Sequence, residues 1–227
     1  DQLSGRETGT RGGDLAALYI VSACAGLGLS PVGSSYFQVV DLEKSLITGP
    51  GTEFRVTGPA GSHTFDYPDA FLPNAGLAPP NGFSGPAVYG ATSDDLLAAG
   101  APPVAGAVAV IGGMLGRDAD DSLRARGAAG LVQLTADRQQ YLLFVRSRGD
   151  ARLRLADSTI TRSLSAALPS AVAGPDLSRR LLDAVGASRT GAISLPDSVT
   201  VRVSFERRPV KSSNVLCLLP GLDPRLR

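Results

Sequence analysis

Apolar residues recur densely from Leu15 to Leu27, at Leu15, Leu18, Ile20, Val21, Ala23 and Leu27. Asp14 precedes them as a cap, and Gly26, Gly28 and Pro31 follow as stop signals, so the pattern predicts a helix. Its apolar residues fall on nearly every face, which leads us to expect burial by neighbours on more than one side. Tyr36–Leu42 and Glu53–Thr57 are short β-rich runs, predicted as two strands joined by a turn at Gly49-Pro50-Gly51. From Gly58 to Gly85 the chain is crowded with Pro, Gly and Asn and has little period. Irregular loop with one short strand is the expectation there.

The middle of the chain is clearer. Ala87-Val88-Tyr89 and Ala107–Ile111 are continuous apolar runs of strand length, predicted as interior strands. Between Arg117 and Leu134 a helix opens on Asp118, Asp120 and Asp121, where carboxylates suit the helix dipole. Leu131-Val132-Gln133-Leu134 follows, giving a strand, helix, strand unit with parallel strands. Tyr141–Val145 and Ala151–Ala156 flank Arg146-Ser147-Arg148-Gly149-Asp150 and read as a hairpin. In its second arm Leu153 and Leu155 alternate with Arg152 and Arg154, which predicts one wet face. Leu177, Leu181, Leu182 and Val185 have helical spacing after Pro175, and Gly186 stops the helix. Val199 to Phe205 alternates strictly, valines and Phe205 inward. An apolar strand-like run at Asn214–Leu219 closes on Pro220-Gly221, and no internal repeat is present.

Composition narrows the function classes. A chain of 227 residues can bury a substantial core, as one large domain or one and a half smaller ones. With 43% hydrophobic and 19% charged residues it has ordinary globular usage, so its 27 Gly and 16 Pro mark turns between many short elements. A net charge of +1 and a pI of about 8.0 supply no field that would argue for nucleic acid or an anionic membrane. Only Lys44 and Lys211 are lysine, and the scattered arginines form no phosphate-sized patch. Cys24 and Cys217 lie in apolar stretches, for which buried thiols are the simpler reading and a disulfide the alternative. No apolar run reaches the roughly 20 residues of a membrane span. A soluble piece without a signal peptide is expected, compatible with a leader already removed.

Candidate chemistry is sparse. The one histidine, His63, sits in Gly61-Ser62-His63-Thr64-Phe65-Asp66, with Ser62 directly adjoining and no nucleophile-elbow sequence, so it reads as a solvated loop residue. Gly112-Gly113-Met114-Leu115-Gly116 follows a strand and precedes a helix, the setting of a dinucleotide turn. It lacks the full glycine spacing, and three aspartates stand where phosphate would approach. Those aspartates fail as a calcium loop, because Leu123 and Ala129 occupy the positions of its turn glycine and its bidentate glutamate. They read as helix-capping residues. Arg148-Gly149-Asp150, a cell-adhesion tripeptide by letter, reads as a turn. Arg152 and Arg154 on one strand face are the candidate substrate-binding residues, able to hold a carboxylate by fork-like hydrogen bonds, against the simpler reading of an exposed polar face.

Several segments in order resemble a known family. Gly5-Arg6 with Thr8-Gly9, the helix ending in Gly26-Leu27-Gly28-Leu29-Ser30-Pro31, and Tyr36-Phe37-Gln38 are similar to the lead-in of the zinc aminopeptidases that include glutamate carboxypeptidase and bacterial secreted leucine aminopeptidases. The stretch 58–205 resembles the protease-associated domain inserted in many of them, through Gly85–Gly90, Val104–Val110, Arg126–Val132 and Leu168–Val172. Ala105 and Ala107 depart from the family, which often has lysines there.

The resemblance implies a mixed α/β (α+β) fold. Residues 1–57 would be the peptidase lead-in and 58–205 a protease-associated β-sandwich or open barrel with peripheral helices. Residues 206–227 would be the first strand of an incomplete α/β zinc-peptidase domain. It also implies that relatives continue to a His and an Asp that bind zinc. A two-zinc site needs several His and carboxylate ligands, so a chain with one histidine is expected to have no catalytic or metal residues of its own; two zinc ions belong to the parent. The implied role is to shape or cover the substrate cleft or to mediate protein interaction. Its partners would be the zinc-peptidase domain and a peptide or protein substrate, outside the cytoplasm, with no nucleic acid and no membrane span. The alternatives are a stand-alone peptide- or protein-binding module and a small nucleotide-binding enzyme using the turn at Gly112.

Overall fold

A computed structural model describes residues 7–74, 82–113, 115–116, 118–148, 151–156, 168–186 and 190–221. In chain order its elements are α1 (Arg11–Gly26), β1 (Ser30–Pro31), β2 (Phe37–Gly58), β3 (Gly61–Asp66), β4 (Phe71–Pro73), β5 (Phe83–Gly90), α2 (Ser93–Leu97), β6 (Val108–Ile111), α3 (Ala119–Ala125), β7 (Gly130–Leu134), α4 (Arg138–Arg148), β8 (Ala151–Leu155), β9 (Ser170–Ala173), α5 (Pro175–Val185), β10 (Ala192–Val215) and β11 (Cys217–Leu218). The chain divides into two compact units. The first comprises 1–44, 153–158 and 208–227, and the second 45–152 and 159–207.

The chain forms a mixed sheet of order β3-β2-β10-β5-β6-β7-β9-β4, with β8 also paired to β2, and the strands β3, β4, β5, β6, β7 and β9 fall wholly in the second unit. β5, β6, β7 and β9 run parallel, as predicted for the strands around α3, while β2–β3, β10–β5 and β4–β9 are antiparallel. The continuous apolar runs make sense because both faces of the parallel strands are covered. Side chains alternate across a strand, so Ala87, Tyr89, Val108, Val110 and Val132 enter one core with Leu177, Leu181 and Val185 of α5. Val88, Ala109, Ile111 and Leu131 enter the other, with Leu96 of α2 and Leu123 of α3. Helices of five and seven residues would not persist alone. Fully burying one leucine in each, at about 2 kcal/mol apiece, holds them to the sheet.

Two local features secure the β10 side. Arg180 on α5 pairs with Asp197 at 3.1 Å, and the carboxylate is only 2% exposed. Gly58 faces that carboxylate so closely that a Cβ would lie 1.6 Å from Asp197 Oδ1, which explains the missing side chain.

Three expectations are corrected here. Gly49-Pro50-Gly51 does not turn the chain: β2 runs through it as one strand, with Gly51 at φ 85° and Thr52 Oγ1 accepting from the Ser204 amide of β10 at 2.9 Å. The stretch 58–85 is not mainly loop but holds β3, β4 and the start of β5, with Phe71 and Leu72 essentially inaccessible. Residues 141–145 are helix α4, not a hairpin arm, because Asp137 Oδ1 accepts from the Gln140 amide at 2.8 Å and Tyr141 then turns inward onto Leu72 and Val172. Residues 149–150, with most of the Arg148-Gly149-Asp150 turn, lie outside the described residues.

In the first unit α1 starts a turn earlier than predicted. Thr10, not Asp14, is its cap, with Oγ1 accepting from the Gly13 amide at 3.3 Å. β1 and β11 pair antiparallel, Ser30 opposite Leu218, and the Tyr36 hydroxyl donates to the Leu29 carbonyl. Cys24 and Cys217 form a disulfide, so the reading as buried thiols is overturned; both are half-buried, joined where β11 returns beside the end of α1. The expected burial of α1 is overturned too. Only Gly12 of the helix is buried, and Leu18, Tyr19 and Ile20 are 52%, 77% and 49% exposed. No helix among the described residues is long and apolar enough to cross a membrane.

Candidate functional site

The strands β7 and β9 are parallel neighbours, and each passes at its C-terminal end into a helix, α4 and α5 respectively. Ligand clefts in such sheets form beyond the carboxyl ends of the strands. The junction is tightly tied. The Thr135 amide donates to Ala173 O at 3.1 Å and to Ser178 Oγ at 3.0 Å, and Ser178 Oγ donates to Ala173 O. Gly174, the residue before α5, donates to Ala70 O at 2.7 Å, which fastens the Asp66–Ala70 turn against the start of the helix. That turn contains a cis peptide at Tyr67-Pro68.

Between α4, α5 and this turn lies an open cleft of about 630 Å³. Arg138, Tyr141, Leu142 and Val145 face it from α4, spaced as i, i+3, i+4 and i+7 on one helix face. Pro175, Asp176 and Arg179 face it from α5, and Pro68 and Asp69 from the turn. Tyr141 is 3% exposed, and its hydroxyl donates to the Pro68 carbonyl. Burial first, and then the nearby Asp69 charge, raise its pKa, so it stays a neutral donor. Arg179 and Asp176 pair with each other at 3.1 Å. The side chains of Arg138 and Asp69 make no hydrogen bond or ion pair with the described residues. The cleft therefore combines one matched pair, one free cation, one free anion and apolar walls. Among the described residues that line it, no nucleophile stands beside a base.

The candidates from sequence lie elsewhere. Arg152 and Arg154 are in β8, and their side chains are outside the described residues. His63 is exposed in β3, opposite Val56. At the glycine turn the Gly112 amide donates to Gly90 O and the Gly116 amide to Ser93 Oγ, so backbone donors that a phosphate would need are in use. Asp118 is the residue before α3 but its side chain makes no cap bond, which corrects its reading as a capping group. Asp120 and Asp121 occupy the first turn. Among the described residues no three of His, Cys, Asp and Glu gather, and both cysteines are consumed by the disulfide. Sequence reasoning missed the cleft because it took 141–145 as strand, a period that scatters Arg138, Tyr141, Leu142 and Val145. Their i, i+3, i+4, i+7 spacing was the signal.

No protein-family model matches the chain, and no curated protein sequence does. Among solved structures it is similar to an aminopeptidase from an Aneurinibacillus species, with a TM-score of 0.50 and 14% identity over 96% of this chain and 45% of that one. Others are a peptidase precursor from Shewanella amazonensis (TM-score 0.45, 16% identity, 91% and 45% covered) and a zinc aminopeptidase from Bacillus subtilis (0.40, 13%, 98% and 45%). The chain thus spans about half the length of the structures it matches. At such identities the likeness is one of fold.

Proposed function

We propose that this chain is the non-catalytic region of a zinc-dependent aminopeptidase, with a protease-associated domain at about 58–205 that shapes or covers the substrate cleft or mediates protein interaction. The observation that carries the reading is that the first unit has no core of its own. Among its described residues only Gly12 and Leu42 are buried, while Leu15, Leu18 and Tyr19 form an exposed apolar stripe on α1. A folded unit buries its apolar stripe against another element, and an exposed patch of this kind marks a docking surface. As its occupant we propose the zinc-peptidase domain, which would bring both metal ions; that this chain shares its fold with under half of an aminopeptidase supports the choice. The disulfide supports an oxidising, extracytoplasmic setting.

The test is a pull-down of this chain with the zinc-peptidase domain encoded beside it in the natural gene. Co-purification is expected, and its loss in Leu18→Glu/Tyr19→Glu. The purified chain alone should bind no stoichiometric zinc and hydrolyse no aminoacyl reporter. Turnover by the chain alone, or a gene with no such domain, overturns the proposal, the latter in favour of a stand-alone binding module.

A further inference from the structure

We infer that the cleft between α4, α5 and the Asp66–Ala70 turn binds a small zwitterion with an apolar body, a free amino acid or a dipeptide. Its volume of about 630 Å³ falls inside the range of roughly 300–1,000 Å³ typical of small-ligand sites. The charges of Arg179 and Asp176 cancel at 3.1 Å, which leaves Arg138 and Asp69 as the groups available to a ligand. A guanidinium fork takes a carboxylate in two parallel hydrogen bonds, and a carboxylate takes an ammonium group. Leu142 and Val145 of α4 and Pro68 of the turn form the apolar wall beside them, suited to an aliphatic side chain. A singly charged ligand would leave one of the two protein charges uncompensated, and the zwitterion satisfies both.

The turn that presents Asp69 is held from both sides, by Tyr141 Oη donating to the Pro68 carbonyl and by the Gly174 amide donating to the Ala70 carbonyl. Asp69 therefore stands at a fixed position relative to the first turn of α4, where Arg138 lies. This preorganisation lowers the ordering cost of binding. The site opens to solvent, so its charge contacts are screened and affinity is modest, about 1 mM. The inference concerns the second unit alone and does not depend on an attached peptidase domain.

The experiment is a titration of the isotope-labelled chain with leucyl-leucine, N-acetyl-leucyl-leucine and leucyl-leucine amide, followed by amide chemical shifts. Saturable shifts are expected for leucyl-leucine at Asp69, Arg138–Val145 and Asp176–Arg179. Each blocked peptide should bind about tenfold or more weakly, having lost one charge-assisted contact. Arg138→Gln should abolish discrimination between acid and amide, and Asp69→Asn that between free and acetylated amine. No saturable shift at roughly 20 mM, well above the expected Kd, or equal binding of free and blocked peptides to the unaltered chain, overturns the inference. Both substitutions are at exposed positions, and the comparison of blocked peptides stands without them.

Discussion

Asp120 shows how a residue can suit its helix and still be poorly placed in its surroundings. It lies in the first turn of α3, where the helix dipole favours a carboxylate, yet its Oδ1 is buried without a hydrogen-bond partner among the described residues. Burial, and then repulsion from Asp121, raise its pKa above the ordinary 3.8. A carboxyl whose folded pKa lies above its unfolded value binds protons more tightly in the native state. Its ionisation therefore removes stability as pH rises from about 3.8 through the folded pKa. Asp120→Asn removes the charge while keeping the shape, so the variant should be more stable than the parent at pH 7 and lose that advantage as pH falls towards 3.8. Urea unfolding at both pH values checks this, and a constant difference would contradict it. The sequence placed Asp118, Asp120 and Asp121 at a helix start. The pattern held no sign of which oxygen would be left without a partner, because that depends on packing between α3 and distant elements.

Among the elements, α4 links local sequence to the cleft most directly. Its first turn is closed by Asp137 accepting from the Gln140 amide, and a turn later Tyr141 anchors it on Leu72 and Val172. Asp137→Ala should cost about 1 kcal/mol in urea unfolding and loosen the first turn, seen as faster hydrogen exchange at Gln140 and Tyr141. Unchanged stability and exchange would show that the packing of Tyr141, Phe144 and Val145, and not the cap, holds the helix. The helix was hard to read because its polar residues dilute the period and Gly149 beside it signals a turn. By contrast β5, β6, β7 and α5 were legible, since burial on both sheet faces or along one helix stripe writes an unbroken apolar run or a clean 3.6-residue period. In β2, Gly49-Pro50-Gly51 carries every mark of a turn, yet pairing with β10 extends the strand through it.

For the molecule as a whole, the uneven distribution of core is the governing fact. The second unit buries two apolar clusters on opposite faces of its parallel strands, and the first buries almost nothing and is cross-linked by Cys24–Cys217. A cross-link matters most where packing is weak, by restricting the unfolded chain. Cys24→Ser/Cys217→Ser should destabilise the first unit by about 2–4 kcal/mol, the lower end applying because the folded second unit already shortens the effective loop. Thermal unfolding should show a separate early transition in the variant and in the reduced parent, and a single unshifted transition would refute it. What the sequence determined by itself is the parallel strands with α3 and α5 and the presence of a single imidazole, because burial periodicity and residue counts are properties of the chain alone. Tertiary structure decided that this chain leaves the apolar stripe of α1 uncovered, that two distant cysteines pair, and that Arg138 and Asp69 line one cleft, since each depends on which residues far apart in sequence come side by side.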